Sequence, residues 1–282
     1  MKCAWDALIN ILPVWMRCKV DKRGKDTLRE IRLRVDQQPE FIGLQEPIDF
    51  FQLVTQEDIR FCINVASKYS PWAANTISRG YITSTGGHRI GICGECTVTK
   101  DGMQGIKEPS SVCIRVARSF PNIAMDAVKY SGSVLIIGAP GTGKTTLLRD
   151  YIRLISDLRG EFVSVVDERE EIFPYVNGQA CFYPGKHTDV ISGCSKPRGI
   201  EMVLRNMTPQ IIAVDEITAK EDCEALLHAG WCGVRLLATA HAGSKEDFFR
   251  RPIYKPLLQS GIFDTLLILR PDKTWVGERL CQ

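Results

Sequence analysis

Residues 133–154 read Ser-Val-Leu-Ile-Ile-Gly-Ala-Pro-Gly-Thr-Gly-Lys-Thr-Thr-Leu-Leu-Arg-Asp-Tyr-Ile-Arg-Leu. The apolar run 133–137 predicts a buried strand, and the run 145–154 has the apolar spacing of a helix. Between them, residues 138–145 match the complete pattern G-x-x-x-x-G-K-[ST]. Because a glycine-rich loop between a strand and a helix is typical of a phosphate-binding loop, this stretch predicts binding of a nucleoside triphosphate.

The residue types of this loop indicate how it binds phosphate. Its glycines lack a Cβ, so consecutive backbone N–H groups can turn toward an anion, and the N-terminus of the following helix adds partial positive charge. Lys144 can neutralise the β- and γ-phosphates, and Thr145 can give its hydroxyl to Mg²⁺. We therefore predict ATP and Mg²⁺ as cofactors. The predicted nucleotide-binding residues are Gly138, Ala139, Pro140, Gly141, Thr142, Gly143, Lys144, Thr145 and Thr146.

Length and composition limit the class of protein. A chain of 282 residues that is 44% hydrophobic predicts two domains. The net charge of +3 comes from interspersed charges, so nucleic acid is not expected as a partner. No apolar stretch reaches the roughly 18 residues of a membrane helix, and Asp6 interrupts the opening segment, so we expect neither a span nor a signal peptide. The 11 scattered cysteines fit free thiols in a reducing cytosol.

The periodicity of the chain changes between its two halves. In the N-terminal half, helical patterns and short alternating β runs predict a smaller α+β domain over residues 1–122. The helical patterns cover residues 4–16 and 55–68, and the β runs cover residues 27–35, 81–83, 88–93 and 111–117. In the C-terminal half, continuous apolar runs alternate with helical patterns, which predicts an α/β domain with a mainly parallel sheet over residues 123–282. These runs are residues 134–137, 162–166, 211–214, 236–239 and 265–269.

Acidic residues follow two of the predicted parallel strands at the edge where ligands bind in such sheets. Asp215 and Glu216 come directly after the run 211–214, in the pattern of a Walker B strand. Asp215 can hold Mg²⁺, and Glu216 can orient the attacking water, although both can also be solvated or helix-capping acids. Asp167 and Glu168 follow the neighbouring run and can share the water-positioning or metal-binding role. For Glu170 and Glu171, an ordinary charged turn is an equal alternative.

A histidine follows a third apolar run at the same edge. His241 comes after the run 234–240, so its imidazole can hydrogen-bond a γ-phosphate and report whether that phosphate is present. The predicted catalytic residues are therefore Glu216, Asp167, Glu168 and His241, and the predicted Mg²⁺ ligands are Thr145 and Asp215.

The order of these motifs along the chain resembles that of the traffic ATPases of type II and type IV secretion and pilus machines. Within that superfamily, the chain is similar to the stage III sporulation AA family of endospore-forming bacteria, and the similarity spans nearly the whole chain. It rests on Glu30-Ile-Arg-Leu-Arg34, Gly80-Tyr-Ile-Thr83, Gly86-Gly-His-Arg-Ile-Gly91, Ile114-Arg-Val-Ala-Arg118 and Met207-Thr-Pro-Gln-Ile-Ile-Ala-Val-Asp-Glu216.

This resemblance implies a RecA-like ATPase domain behind an N-terminal domain, assembled as a homo-hexameric ring. It also implies docking on membrane-embedded sporulation channel proteins, at the cytoplasmic face of the mother-cell membrane. Arg89, Arg115 and Arg118 occupy the segments from which such rings bring arginines to the phosphates, and exposed hairpin charge is the alternative. Arg205 also matches a family position, with a phosphate or inter-subunit role.

The chain departs from the superfamily pattern at two places. Relatives carry Gly-Glu where this chain has Asp215-Glu216, so the division of labour between Glu216 and the Asp167–Glu168 pair stays open. The segment Lys196-Pro-Arg198 is also unusual, and no role is transferred to Arg198. Besides an ATP-hydrolysing motor, the sequence leaves open a nucleotide-gated scaffold for a membrane complex and a RecA-like motor on nucleic acid.

Overall fold

The computed structural model describes residues 1–44, 46–68, 80–99, 102–176 and 178–280. The chain divides into two compact units. One comprises Met1–Arg118 and Tyr175–Cys181, and the other comprises Ser119–Pro174 and Phe182–Gln282. The division after Arg118 lies a few residues before the boundary expected at residue 122. The return of Tyr175–Cys181 to the first unit has no counterpart in the sequence-based expectation.

Helices of the N-terminal unit are α1 (Trp5–Ile11), α2 (Val14–Gly24) and α3 (Gln56–Ala66). The single helical segment expected over residues 4–16 is split at Pro13, because proline disfavours helical backbone at the residue before it. Leu12 is accordingly extended, with ψ 149°. A capping box fixes the start of α3. Thr55 Oγ1 accepts from the backbone N–H of Asp58, and the Asp58 carboxylate accepts from the backbone N–H of Thr55.

An antiparallel five-stranded sheet completes the N-terminal unit, with the order β2-β1-β5-β4-β3. Its strands are β1 (Glu30–Arg34), β2 (Glu40–Ile42), β3 (Tyr81–Thr83), β4 (Arg89–Thr99) and β5 (Gly102–Arg115). Ile31 and Leu33 of β1 lie opposite Ile114 and Val112 of β5, and all four are buried on one face. That face packs against the helices and forms the core of this unit.

A seven-stranded sheet with the order β10-β7-β11-β12-β6-β13-β14 forms the centre of the C-terminal unit. All neighbouring pairs are parallel except β13 with β14. The strands are β6 (Val134–Gly138), β7 (Val163–Asp167), β10 (Thr188–Ser192), β11 (Ile211–Val214), β12 (Arg235–His241), β13 (Thr265–Leu269) and β14 (Trp275–Arg279). The mainly parallel sheet expected from the sequence is thereby confirmed. The short pair β8 (Tyr175–Val176) and β9 (Gln179–Ala180) lies outside this sheet.

Helices cover both faces of the parallel sheet. On one face, α4 (Lys144–Arg159) buries Leu147, Leu148 and Tyr151. On the other, α5 (Lys196–Asn206) and α6 (Lys220–Trp231) pack against the strands, followed by the shorter α7 (Lys245–Arg250) and α8 (Lys255–Gln259). No helix among the described ranges has the length and apolar character of a membrane span.

This topology brings the predicted site residues of the C-terminal unit to one edge of its sheet. Strand β6 ends at Gly138, which pairs with His241 of β12 and Leu269 of β13. Strands β11 and β7 continue the same parallel ladder and end at Val214 and Asp167. Their carboxyl ends therefore converge where ligands bind in open α/β sheets.

Candidate active site

The phosphate loop joins β6 to α4 and depends on glycine for its shape. Gly141 and Gly143 have φ of 74° and 103°, a region that residues with a Cβ rarely adopt. At Gly138, a Cβ would lie 2.6 Å from Thr142 Oγ1, so this position needs glycine for space. Thr142 Oγ1 donates to the carbonyl oxygen of Ala139 at 2.8 Å and closes the turn. Pro140 lies at its outer edge, and Thr146 lies in the first turn of α4.

Lys144 begins α4 and is buried. Its Nζ donates to the carbonyl oxygens of Gly138 at 3.0 Å and Ala139 at 3.1 Å, and it lies 2.9 Å from His241 Nδ1. These three contacts match the three protons of the ammonium group. Burial lowers the pKa of Lys144, and the negative charges of Glu216 and Asp215 oppose that shift.

Asp215 links the phosphate loop to the end of β11. Its Oδ2 accepts from Thr145 Oγ1 at 2.7 Å, and its Oδ1 accepts from the Glu216 backbone N–H at 3.0 Å and from the Thr239 hydroxyl. Adjacent ligands of octahedral Mg²⁺ are about 3 Å apart, because each lies about 2.1 Å from the ion. The Thr145 and Asp215 oxygens therefore suit two neighbouring positions around one Mg²⁺.

Glu216 follows Asp215 with φ 43°, in the left-handed region. Its backbone N–H donates to Thr239 Oγ1 at 2.8 Å, and the Ile217 N–H donates to the Thr239 carbonyl oxygen at 2.9 Å. A glutamate in this region is strained and needs such support, and strain of this kind concentrates at functional sites. Glu216 is therefore held in place by the neighbouring strand β12.

The side chain of Glu216 is joined to Lys144 through a histidine. His241 Nε2 lies 2.6 Å from Glu216 Oε1, while Nδ1 faces the Lys144 ammonium. Since an ammonium can only donate, Nδ1 accepts and Nε2 carries the proton that it donates to Glu216. Arg169 Nη1 donates to Glu216 Oε2 at 3.1 Å. The imidazole thus connects the phosphate-binding cation to the carboxylate expected to orient water.

Asp167 ends β7 and is buried beside Asp215. Its carboxylate accepts from the backbone N–H groups of Glu171 at 2.9 Å, Ile172 at 3.0 Å and Phe173 at 2.8 Å. Burial raises the pKa of Asp167 to about 7, with the charge of Asp215 in the same direction, although the N–H donors act in the opposite direction. These bonds favour an anchoring role for Asp167 in the following turn, which contains Glu170 at φ 55°.

Glu168, the other member of the predicted pair, lies along the cleft that also includes Arg169, Asp215 and Glu216. Its Oε2 accepts from the buried ammonium of Lys196 at 2.6 Å. Asp167 also lines this cleft, but its carboxylate accepts from three backbone N–H groups, whereas that of Glu168 accepts from the Lys196 ammonium.

The N-terminal arginines differ in their surroundings. The Arg118 guanidinium donates to the carbonyl oxygens of Lys25 and Leu28. That of Arg89 lies 4.2 Å from the centre of the Tyr81 ring. Arg115 is 66% exposed and lies 3.9 Å from Glu30. In the C-terminal unit, Arg205 forms an exposed pair with Glu201 on α5.

Sequence reasoning did not identify Thr239, Arg169 or Lys196 as site residues. Thr239 lies two residues before His241 on the same strand, so the alternation of β12 was a usable signal for it. Lys196 lies at the start of α5, far from the motifs in sequence, and nothing in the local pattern indicates its burial.

The phosphate loop, the paired acids and the mainly parallel sheet define a fold class: a RecA-like α/β domain, preceded in the chain by a unit with an antiparallel sheet. Solved structures confirm this fold class. The ATPase DotB of Legionella pneumophila superposes with a TM-score of 0.61 at 17% identity, covering 95% of this chain and 80% of that one. The pilus retraction motor PilT with bound ADP superposes with a TM-score of 0.58 at 15% identity, covering 92% of this chain and 78% of that one.

The family is shown by sequence. The family model described as Sporulation stage III, protein AA matches residues 6–277, and this chain belongs to that family. Stage III sporulation protein AA of Bacillus subtilis (strain 168) is 36% identical over 256 residues, covering 87% of this chain and 83% of that protein. The uncharacterized protein ycf45 of Cyanidium caldarium is 30% identical over 177 residues, covering 58% of this chain and 52% of that protein. The sequence-based recognition is confirmed.

Proposed function

We propose that this protein is a Mg²⁺-dependent ATPase of the secretion type, working as a homo-hexameric ring at the cytoplasmic face of the mother-cell membrane. There it energises a membrane-embedded channel complex during endospore formation. One observation carries the proposal: the residues expected to bind phosphate, Mg²⁺ and water contact one another. Thr145 donates to Asp215 at 2.7 Å, and His241 connects Lys144 to Glu216. Family membership and the names of the relatives, a sporulation protein, an ATPase and a pilus motor, support the cellular part.

ATP binding follows from the loop and the start of α4. The first backbone N–H groups of a helix have no acceptor within the helix, so those at the start of α4 are available to phosphate oxygens. Lys144 would exchange its contact with His241 Nδ1 for one with a β- or γ-phosphate oxygen. Thr145 and Asp215 would hold Mg²⁺, which would neutralise part of the phosphate charge.

Hydrolysis is assigned to Glu216, with Glu168 as the nearby acid of the predicted pair. The Glu216 carboxylate orients a water in line with the γ-phosphate and accepts its proton. His241 responds to nucleotide because Lys144 cannot give the same proton to both the imidazole and a phosphate. A γ-phosphate therefore alters the hydrogen bonds of His241, and through Nε2 those of Glu216.

In the proposed ring, a neighbouring subunit contributes an arginine to catalysis. Arg115 is the most exposed of the three family-matched N-terminal arginines and is the one we assign to a neighbouring subunit's phosphates. A guanidinium suits the spread charge of a transferring phosphoryl group. The proposal therefore predicts that turnover rises steeply with protein concentration.

Phosphate release by wild type and by Lys144→Ala tests the enzyme. We expect wild type with Mg-ATP to release phosphate and Lys144→Ala to lose at least about 100-fold of that rate, because the loop loses its cation. Lys220→Ala is the control and should keep the wild-type rate, because Lys220 is exposed and pairs with Glu224 on α6, away from the phosphate loop. Equal rates for wild type and Lys144→Ala would contradict the proposal.

Glu216→Gln separates the ATPase from a nucleotide-gated scaffold. An ATPase motor requires that this variant bind Mg-ATP and assemble but fail to support transport, whereas a scaffold retains full function. Stimulation of phosphate release by single-stranded nucleic acid would instead identify a nucleic-acid motor.

A further inference from the structure

Lys196 is a buried lysine beside the proposed catalytic cleft. Its side chain is only 4% exposed, although lysine is among the residues least often buried. Its Nζ donates to Glu168 Oε2 at 2.6 Å and lies 3.6 Å from Asp222 Oδ2. A buried ammonium is stable only where carboxylates or other acceptors compensate its charge, and these two acids do so.

The position of Lys196 is fixed by close packing of α5 on β7. Gly199 lies one turn further along α5, where a Cβ would come within 2.4 Å of Val166 Cγ1. The absence of that atom lets the start of α5 approach the end of β7. This approach brings the Lys196 ammonium to the residue that follows β7 and precedes Arg169, namely Glu168.

The two partners of Lys196 lie in the segments that follow two adjacent strands, β7 and β11. Glu168 follows β7 and lines the cleft with Glu216 and Asp215. Asp222 is buried in α6, and its Oδ2 accepts from the backbone N–H groups of Thr218 at 3.0 Å and Ala219 at 3.1 Å. Asp222 therefore fixes the loop that leaves the strained residue Glu216. Lys196 links this loop to the Glu168 carboxylate.

We propose that Lys196 is a positioning residue for ATP hydrolysis, holding the Glu168 carboxylate and the loop after Glu216 in fixed relation. The inference rests on the proposed ATPase function and assigns Lys196 no contact with nucleotide. Without its ammonium, Glu168 turns away from its present position and the carboxylate of Asp222 loses its cation. The Glu168 carboxylate and the loop after Glu216 then lose their alignment in the cleft, while the phosphate loop that binds ATP is left intact.

The test is a double-mutant cycle between Lys196→Met and Glu168→Gln, read as kcat and KM for Mg-ATP. Misplacement of catalytic groups by about 1 Å can lower rates about 100-fold. We expect each single variant to lose about 10- to 100-fold in kcat with KM changed less than about threefold. Because both changes break the same contact, the double variant should lose no more than the worse single variant. Lys196→Arg should recover part of kcat, since it restores the charge.

Lys220→Met is the matched control, because Lys220 pairs with Glu224 on the exposed side of α6 and should leave kcat unchanged. Losses in the double variant equal to the product of the two single losses would overturn the proposal, as would an effect confined to KM. Should Lys196→Met fail to fold, Glu168→Gln alone decides, since Glu168 is 37% exposed and tolerates replacement; a wild-type kcat in it overturns the proposal. Failure of the ATPase itself is distinct, because wild type would then show no turnover.

Discussion

At the residue scale, each cation and carboxylate of the site is positioned by a contact with another side chain of the site. Lys144 faces His241, His241 faces Glu216, and Asp215 takes the hydroxyl of Thr145. Asp215 lies where the sequence departs from the traffic-ATPase pattern that it resembles. Its carboxylate accepts hydrogen bonds from both the phosphate loop and Thr239. These hydrogen bonds fix the Asp215 carboxylate, while the Glu216 carboxylate contacts His241.

Asp167 gives a prediction about stability and pH. Because its pKa is raised from 3.8 to about 7, the folded protein binds this proton more tightly than the unfolded chain. The resulting stabilisation is complete below pH 4 and is lost as pH rises through 7. Its slope is about 1.4 kcal/mol per pH unit between these values.

Urea unfolding of wild type and Asp167→Asn from pH 4.5 to 8 measures this contribution. We expect the free energy of unfolding of wild type to fall more steeply with pH than that of the variant. The readout is the difference between the two slopes, because both proteins share all other titrating groups. Parallel pH dependences would show that Asp167 does not take up a proton in this range.

At the scale of elements, the strand–loop–helix unit around the phosphate loop is specified locally. The apolar run, the three glycines and the helical run are contiguous, and the structure places β6 and α4 there. Strands β10 and β14 were not predicted, because they are the two edge strands of the sheet and are only partly buried. A strand without burial on both faces lacks the continuous apolar run that marks its neighbours.

The features of the site that the sequence did not predict depend on contacts between segments that are far apart in the chain or on the conformation of a turn. The position of each residue at a strand end was sufficient to bring Asp215, Glu216 and His241 together, because parallel strands end at one edge. The burial of Lys196 depends on the packing of α5 through Gly199, and the bonds of Asp167 depend on the conformation of the following turn. Neither is encoded in a local period, so neither was predicted.

Gly143→Ala tests the phosphate loop as an element. With φ 103° and open space around its missing Cβ, this change strains the backbone without a clash, and we expect a loss of about 1–2 kcal/mol in the free energy of unfolding. Nucleotide affinity should also fall at least about tenfold, because the backbone N–H groups no longer converge on phosphate.

Gly233→Ala is the matched control for this change. Gly233 has φ 83° and equally open surroundings, but it lies between α6 and β12, at the opposite end of the sheet. We expect a similar loss of stability with unchanged affinity for an ATP analogue, measured by calorimetry. Equal affinities in the two variants would show that the geometry of the phosphate loop does not govern binding.

At the scale of the whole molecule, the proposed ring makes the site depend on a second subunit. If Arg115 acts on a neighbour's phosphates, Arg115→Ala should lower kcat by about 1,000-fold, the effect of losing an arginine finger. Arg60→Ala is the control, because Arg60 is also exposed and paired with a glutamate, Glu108.

Mixing two inactive variants tests the action between subunits. A Lys144→Ala subunit retains Arg115, and an Arg115→Ala subunit retains Lys144, so mixed rings contain some complete sites. We expect phosphate release to reappear on mixing at concentrations where rings form, as monitored by sedimentation. No recovery in rings shown to contain both variants would rule out action of Arg115 across the subunit boundary.

The central claim is that the phosphate loop and the acids at the ends of the neighbouring strands bind one Mg-nucleotide together. Calorimetric titration of Glu216→Gln with ATP, in Mg²⁺ and in EDTA, tests it most directly, because this variant removes turnover but keeps the binding groups. We predict saturable heat with one nucleotide per chain, weakened in EDTA, weakened by adding Asp215→Asn and abolished by adding Lys144→Ala. Absence of heat with Mg-ATP, or equal heat after Lys144→Ala, would contradict the account.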